Sequence, residues 1–384
     1  MLGQAGRAGI AKDTPMPLVR APVASGAGSS RCGETLIQCS AMTSGLRLLL
    51  AAFAVALASP ALVAAQNSKP LEIYFIDVEG GQATLFVTPA GQSLLIDTGW
   101  PMERDAQRIS ETIKLAKIHQ LDFVLITHYH RDHVGAVPLL VKTVPVGTFI
   151  DHGPLRQPGK PMDEDYAAYQ RALTTGKYNH IVAKPGDKLP IKGIDATVVS
   201  SDGELIHRAF PGAGEPNHYC HPSAQLPADQ TENARSVGTV LVFGRLRILD
   251  LGDLTSDKEM QLMCPDDKLG KIDLYVVSHH GSEQSGSPVL VAAIAPRVAI
   301  MDNAAGKGGS PSAWQILKAA PGLEGLWQLH YSEEGGRDHN SAEEFLANVG
   351  QDDPGNYIKV TAYQDGSMKV FNSRTRAEKN YAPR

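Results

Sequence analysis

Three histidines and one aspartate lie within six residues of one another, directly after an apolar run at 121–127. They are His128, His130, Asp132 and His133. The run predicts a buried strand, so these side chains leave a strand end through a loop and can converge on one point. Imidazole nitrogen and carboxylate oxygen together suit Zn²⁺, with Mn²⁺ and Fe²⁺ as alternatives. A surface histidine cluster rarely has this spacing at a strand end, and the segment therefore predicts a metal site.

Two later strand ends carry further candidate residues. Asp253 follows the apolar run at 246–251. His279 and His280 follow the run at 273–278. An aspartate after a glycine is as typical of a turn as of a metal site, so Asp253 is informative only together with the histidines. Of the adjacent pair, His279 is favoured as a ligand because it leaves the strand first, and His280 as a supporting or proton-handling group.

Other catalytic motifs are missing from the sequence. It contains neither the G-x-S-x-G pattern of a nucleophile elbow nor a P-loop with its lysine. A glycine-rich loop at 306–310 precedes Pro311. Ser310 is predicted to cap a helix that begins at Pro311, and the alternative is that backbone N–H groups of the loop bind an anion.

The other elements must bring these strand ends together. Alternation and turn residues predict hairpins at 71–97 and 237–251, and periodicity predicts helices at 104–118, 134–141, 288–295 and 311–319. This pattern occurs once before and once after an irregular segment at 151–235, which is rich in proline, glycine and polar residues. The doubling predicts an α/β fold of two stacked halves with helices outside. The irregular segment is expected to form part of the substrate-binding wall.

The first residues do not fit this pattern. An apolar stretch at 48–58 with a basic flank and small residues at 63–65 predicts a signal peptide at 42–65, cleaved before Gln66. The stretch is too short to span a membrane, since a spanning helix needs about 20 residues. No stable membrane span is therefore expected after cleavage, and the protein is expected to be periplasmic or secreted. Residues 1–41 are expected to be an incorrect gene start or a disordered leader.

Net charge and cysteine content limit which binding partners and which cellular compartment are expected. The chain has 384 residues, 42% hydrophobic and 20% charged, with a formal net charge of −5. This acidic balance gives no electrostatic basis for broad nucleic-acid binding. The expected partner is a small-molecule or phosphoester substrate, and the motifs rather than the charge motivate the phosphoester. Only Cys220 and Cys264 follow the predicted cleavage point. They are expected either to form one disulfide or to remain as two buried thiols.

The motif at 128–133 resembles the HxHxDH signature of the metallo-β-lactamase-fold hydrolases. Asp97 resembles the aspartate of the family's first motif, which steadies the metal loop. Asp253 resembles the carboxylate that bridges two metal ions. These motifs keep the family order across residues 70–300. The resemblance implies a single domain at 66–384 with the four-layer αββα sandwich of this fold.

A narrower resemblance is to the metallo-hydrolase domain of bacterial DNA-uptake channel proteins, and choline-phosphate esterases of the same fold are also similar. It rests on the motif at 76–82, on Asn233 and Ser236 in an Asn-x-x-Ser pattern, and on His-His-Gly-Ser at 279–282. This sequence lacks the many membrane helices of the channel proteins. The chain is therefore expected to be a free-standing exported relative of their hydrolase domain.

The resemblance implies two metal ions, with zinc preferred, and a metal-bound hydroxide as nucleophile. The implied ligands are His128 and His130 for one ion, Asp132, His133 and His279 for the other, and Asp253 between them. Asp132, Asp253 and His280 are the implied catalytic residues. One departure is that many family members carry a further histidine shortly before the bridging aspartate. Asn233, water or a substrate oxygen is expected to take its place, with His218 and His221 as alternatives.

Three functions follow from these observations. The leading hypothesis is an exported hydrolase of a phosphoester, with a phosphodiester preferred. The alternative enzyme is a lactone or β-lactam hydrolase. A metal-binding module without catalysis represents another class, and the missing histidine motivates it. Redox chemistry with an iron pair ranks last, because the sequence shows no flavin-binding domain.

Overall fold

The computed structural model describes residues 69–221, 226–350 and 354–384. The predicted leader at 1–41 and signal peptide at 42–65 lie outside these residues. Within the described ranges, no helix is both long enough and apolar enough to cross a membrane.

The described residues form seventeen strands and seven α-helices. The strands are β1 (Leu71–Phe75), β2 (Thr84–Val87), β3 (Ser93–Ile96), β4 (Leu121–Leu125), β5 (Val146–Asp151), β6 (Asn179–Val182), β7 (Asp195–Ser201), β8 (Glu204–Leu205), β9 (Gly238–Phe243), β10 (Leu246–Asp250), β11 (Leu274–Val276), β12 (Val298–Met301), β13 (Gly325–His330), β14 (Leu346–Asn348), β15 (Ile358–Ala362), β16 (Met368–Asn372) and β17 (Glu378–Tyr381). The helices are α1 (Glu103–Leu115), α2 (Arg131–Val134), α3 (Val137–Leu140), α4 (Met162–Gly176), α5 (Ser256–Met263), α6 (Pro288–Ile294) and α7 (Pro311–Lys318).

The strands form two mixed sheets. The first has the order β17-β16-β15-β1-β2-β3-β4-β5-β6, and the second has the order β14-β13-β12-β11-β10-β9-β7-β8. The predicted hairpins are present as the antiparallel sets β1-β2-β3 and β9-β10. From β3 to β6, and from β10 to β14, neighbouring strands are parallel. Each sheet therefore has several carboxyl strand ends at one edge.

The two sheets face each other across one apolar core. Phe75 and Ile96 of the first sheet and Ile248 and Trp327 of the second are buried in it. Because side chains alternate between the faces of a strand, the other face of each sheet is also apolar and needs a cover. Helices α1, α3 and α4 cover the first sheet, and α5, α6 and α7 cover the second. This arrangement confirms the expected αββα sandwich.

The segment at 151–235 is more regular than its composition indicates. It contains the helix α4 and the strand β7, which pairs with β9. The last two residues of β7 are buried serines. Ser200 Oγ donates to Ser236 O at 2.9 Å, and Ser201 Oγ donates to Ala183 O at 2.7 Å. The pairing of β7 with β9 therefore determines that this segment is a strand, although its own sequence lacks the apolar–polar alternation of a half-buried strand.

The ends of β4 and β10 approach each other at one edge of the sandwich. Val237 N, just before β9, donates to Thr127 O, just after β4, at 2.8 Å. Within the second sheet, His279 N after β11 donates to Gly252 O after β10 at 3.0 Å. Gly252 has a φ of +55°, and a Cβ at this position would lie 2.8 Å from Thr127 Cβ. A side chain there would push the two strand ends apart, so this glycine allows the predicted site residues of the two sheets to meet.

Cys220 and Cys264 form a disulfide. The bond joins the loop that precedes β9 to the end of α5. Of the two alternatives that the sequence left open, the structure shows the bonded one.

Replacing both cysteines with serine is expected to lower the free energy of unfolding. The bond closes a loop with a sequence separation of 44 residues. For a loop of this size the chain-entropy model gives about 4 kcal/mol. Urea unfolding of the double variant beside the oxidised parent measures the difference. Equal unfolding midpoints would contradict the prediction, and the metal content of the double variant should equal that of the parent.

Candidate metal centre

The first two histidines of the motif direct one ring nitrogen each toward a common point. His128 is fully buried, and its Nε2 lies 2.9 Å from His130 Nδ1. Thr127 Oγ1 donates to Asp97 Oδ2 at 2.7 Å, so it accepts from His128 Nδ1 at 3.0 Å. This tautomer leaves His128 Nε2 without a proton. His128, His130 and Asp253 form a compact group of potential ligand atoms.

A second group consists of four buried residues, Asp132, His133, Asp253 and His280. His133 Nε2 and His280 Nε2 lie 3.2 Å apart. Asp132 Oδ2 lies 3.4 Å from the former and 3.3 Å from the latter. Two imidazoles and two carboxylates at these distances are a donor set for Zn²⁺, Mn²⁺ or Fe²⁺.

Asp253 belongs to both groups. Its Oδ2 lies 3.3 Å from His133 Nε2 and 3.8 Å from His128 Nε2, and its Oδ1 lies 3.5 Å from His280 Nε2. The residue is only 2% exposed, and Oδ1 has no hydrogen-bond partner among the described residues. A buried carboxylate oxygen that has neither a hydrogen-bond partner nor a metal ion is energetically costly. The buried cluster therefore fits a dinuclear metal centre with Asp253 between the ions.

Residues outside the two groups orient the rings. His133 Nδ1 donates to Asp97 Oδ2 at 2.7 Å, and Asp97 Oδ1 accepts from Thr127 N at 2.8 Å. His280 Nδ1 lies 3.4 Å from Asp302 Oδ1. In His133 the hydrogen bond on Nδ1 directs Nε2 into the site, as in many metal-binding proteins, and Asp302 lies on the corresponding side of the His280 ring. Asp97 therefore has the position that the sequence predicted for it.

The pKa values of the buried histidines and carboxylates are shifted by burial and by their mutual attraction. Burial alone would lower the pKa of His133, but the carboxylates of Asp253, Asp132 and Asp97 raise it well above its usual value. Burial would raise the pKa of Asp253, but the neighbouring histidines hold it well below its usual range. Burial lowers the pKa of His128. A metal ion would replace the proton on His133 as the positive charge between these carboxylates.

The structure brings His280, and not His279, into the second ligand group, whereas the order in which they leave the strand favoured His279. His279 and His280 have φ values of +53° and +54°, and Gly281 continues the left-handed turn at +77°. This turn directs His280 inward, where it is 1% exposed and joins Asp132 and His133. His279 has a side chain that is 14% exposed, with Nε2 3.4 Å from Asp253 Oδ2. Strand order favoured His279 for the position that the structure gives to His280.

Asn233, which the sequence offered in place of a further histidine ligand, lies beside His279. It is buried in a 3₁₀ turn, Asn233–Arg235, and its Nδ2 lies 3.5 Å from His279 Nε2. Its Oδ1 has no hydrogen-bond partner among the described residues. His218 and His221 are exposed in a loop and join neither ligand group. Of the alternatives from sequence, the structure brings Asn233 to the site.

Two features near the site were missed by sequence reasoning. Lys307 contacts Asp132 Oδ2, although only its glycine-rich setting distinguished it in the sequence. A third group at the same edge holds Asp77 and His330, with Asp77 Oδ1 2.7 Å from His330 Nε2. Arg108 Nη1 lies 3.1 Å from Asp77 Oδ2, which makes this group an ion-pair network. The helix cap predicted at Ser310 is confirmed. Ser310 Oγ accepts a hydrogen bond from the backbone nitrogen of the third residue of α7 at 3.2 Å.

A comparison with family models agrees with the fold and the two ligand groups over part of the chain. Residues 76–224 match the family model described as "Metallo-beta-lactamase superfamily". The match includes the histidine motif, and the structure adds a mixed α/β fold with a buried histidine and aspartate cluster that fits a metal site.

Particular relatives were found by sequence. The chain is 27% identical to "ComE operon protein 3" of Bacillus subtilis over 245 residues, which are 60% of this chain and 28% of the relative. It is 25% identical to "Recombination protein 2" of Haemophilus influenzae over 321 residues, 83% of this chain and 32% of the relative. The chain thus spans about a third of the length of these relatives.

Solved structures with a similar chain course include CmlA, a diiron β-hydroxylase from Streptomyces venezuelae. The similarity covers 61% of this chain and 45% of that chain, with 13% identity and a TM-score of 0.36. A metallo-beta-lactamase from Cronobacter sakazakii with the HARLDQ motif is 12% identical over 46% of this chain and 60% of that chain, with a TM-score of 0.29.

Proposed function

We propose that this protein is an exported hydrolase that uses two metal ions and acts on a phosphoester, with a phosphodiester as the preferred substrate. The observation that carries the proposal is the shared Asp253 carboxylate, buried between two groups of ligand atoms and left with an unpartnered oxygen. His128 and His130 would hold one ion. Asp132, His133 and His280 would hold the other, and zinc is the proposed metal.

When bound, the ions would supply Lewis-acid activation of water and of a substrate oxygen. The residues of the chain supply the positioning. Asp97 holds the ring of His133 through Nδ1, and Asp302 Oδ1 lies 3.4 Å from His280 Nδ1. Ser285 Oγ lies 3.2 Å from His279 Nδ1, and the Nε2 of this partly exposed histidine faces Asp253 Oδ2 at 3.4 Å. We assign to His279 Nε2 the transfer of a proton to the leaving group.

The proposed substrate wall is anchored to the metal loop. Within the segment, His152 Nε2 lies 2.7 Å from Glu232 Oε1, and the next residue, Asn233, has its Nδ2 3.5 Å from His279 Nε2 at the site. Tyr129, inside the histidine motif, donates from its hydroxyl to Gly153 O. The segment at 151–235 is therefore tied to the site at two points, which supports a role in substrate choice.

The disulfide supports the proposed export. Disulfides form and persist in the periplasm and outside the cell, whereas thiols stay reduced in the cytosol. The bond between Cys220 and Cys264 thus agrees with the signal peptide that the sequence predicts.

A hydrolysis screen tests the proposed function. Zinc-loaded and manganese-loaded protein is expected to hydrolyse bis-nitrophenyl phosphate, nucleotides or phosphocholine esters. The His130→Ala variant is expected to lose at least about a hundredfold in rate, since it removes a ligand. His339→Ala is the matched control, because His339 belongs to neither ligand group. Turnover of nitrocefin or a lactone instead would replace the phosphoester proposal. Metal binding without turnover of any substrate would favour a non-catalytic module.

A further inference from the structure

One lysine reaches the second ligand group from the loop between β12 and α7. Lys307 Nζ contacts both Asp132 Oδ2 and the carbonyl oxygen of Gly80. The ammonium also lies 5.2 Å from the centre of the Trp100 ring, a cation–π distance. Its side chain is 38% exposed. Lys307 is thus a cation at the mouth of the site, with three different partners.

The backbone of the loop fixes this lysine relative to the ligands. Gly309 N donates to His280 O at 2.9 Å, and Ala304 N donates to Lys307 O at 2.9 Å. Gly308 has a φ of +72°, and a Cβ there would lie 2.2 Å from His280 O. The two glycines therefore allow the loop to lie directly against the histidine turn. The approach of the ammonium to Asp132 follows from the packing of this loop.

The ammonium occupies the ligand atom that a second ion would use. Asp132 Oδ2 is the atom that lies 3.3 Å from His280 Nε2 and 3.4 Å from His133 Nε2. Two cations at one carboxylate oxygen repel each other, so an ammonium on Asp132 Oδ2 weakens the binding of an ion at that atom. Among the described residues, Asp132 is the one potential ligand that the Lys307 ammonium contacts, and no lysine contact is found on His128, His130 or Asp253.

We propose that Lys307 competes with the second metal ion for Asp132, so that the two ligand groups fill in order. The group with His128 and His130 fills first and binds its ion more tightly. The ammonium neutralises Asp132 until a second ion displaces it. On displacement the ammonium keeps the Gly80 carbonyl and the Trp100 face as partners. This inference rests on the proposed metal centre and is independent of the substrate.

Stepwise titration of metal-free full-length protein with Zn²⁺ tests the inference. Calorimetry gives the affinity of each step, and elemental mass spectrometry gives the number of ions bound. The parent is expected to show two steps, the second at least roughly tenfold weaker. Lys307→Met and Lys307→Gln, which remove the charge, are expected to tighten the second step by roughly tenfold or more and to leave the first unchanged.

Lys318→Met is the matched control. Lys318 Nζ also lies over a tryptophan, 5.7 Å from the centre of the Trp314 ring, but its helix α7 places it in neither ligand group. This variant should reproduce both steps of the parent. Circular dichroism confirms that all variants are folded, and using two substitutions at Lys307 separates loss of charge from altered packing.

Distinct outcomes would overturn the inference. A second step that is unchanged or lost in both Lys307 variants would contradict it, as would two equal steps in the parent. Failure of the parent to bind any ion would overturn the metal centre and the proposed function together. The two-step pattern with a tightened second step in the variants, but no turnover of any substrate, would support the inference and overturn the proposed hydrolase.

Discussion

The Asp253→Asn variant is expected to bind fewer than one metal ion per chain, where the parent binds two, and to lose at least about a thousandfold in hydrolysis rate. Asp253 is the one residue that belongs to both ligand groups. Asparagine keeps the size of the side chain but loses the negative charge that offsets two cations. Elemental mass spectrometry of the purified variant measures the metal content, and the phosphoester assay measures the rate.

Asp195→Asn is the matched control for this experiment. Asp195 is exposed at the start of β7, and its substitution by asparagine removes the same charge at a position outside the site. It should keep both ions and the full rate. If Asp253→Asn retained two ions, Asp253 would not bridge them. If it retained the hydrolysis rate with fewer ions, the proposed two-metal chemistry would be wrong.

The Asp97→Ala variant is expected to combine a large loss of stability with a loss of metal. Asp97 is fully buried and accepts hydrogen bonds from His133 Nδ1, Thr127 N and Thr127 Oγ1. Removing one partner of a buried ion pair costs roughly 3–5 kcal/mol, because the other charge is left without compensation. His133 would also lose the contact that orients its ring, which is expected to weaken metal binding by roughly 10–100-fold.

Urea unfolding with and without zinc separates the two effects. The metal-free Asp97→Ala protein should unfold at lower urea than the parent, and zinc should restore less stability to it than to the parent. Asp97→Asn, which keeps hydrogen-bonding capacity, should lie between the two. An Asp97→Ala protein with the stability and zinc affinity of the parent would show that Asp97 does not support the metal loop. Asp195→Ala should behave as the parent.

The sequence alone determined the local part of the centre. The close spacing of His128, His130, Asp132 and His133 after an apolar run specifies convergence, because a strand end and the first turn of a helix offer few other directions for these side chains. The same reasoning placed Asp253 and the His279–His280 pair at strand ends. The alternation of strands and helices likewise predicted the layers, because each layer must bury one apolar face.

Only the tertiary structure decided how these segments meet. His133 Nε2 and His280 Nε2 lie 3.2 Å apart although 147 positions separate them in the chain. The pairing of β3 with β4 in one sheet, and of β10 with β11 in the other, brings them to one edge. Local periodicity contains no information about this contact, because it depends on how two complete sheets pack.

Packing between distant segments also explains the residues that sequence reasoning misplaced or missed. The choice between His279 and His280 depends on a left-handed turn of three residues, which the order of strand exit does not reveal. Lys307 reaches Asp132 only because a glycine loop packs on the His280 backbone. Types and spacing of residues thus predicted a cluster of potential metal ligands and the segments that supply it. Close backbone packing between distant segments decided which atoms face one another there.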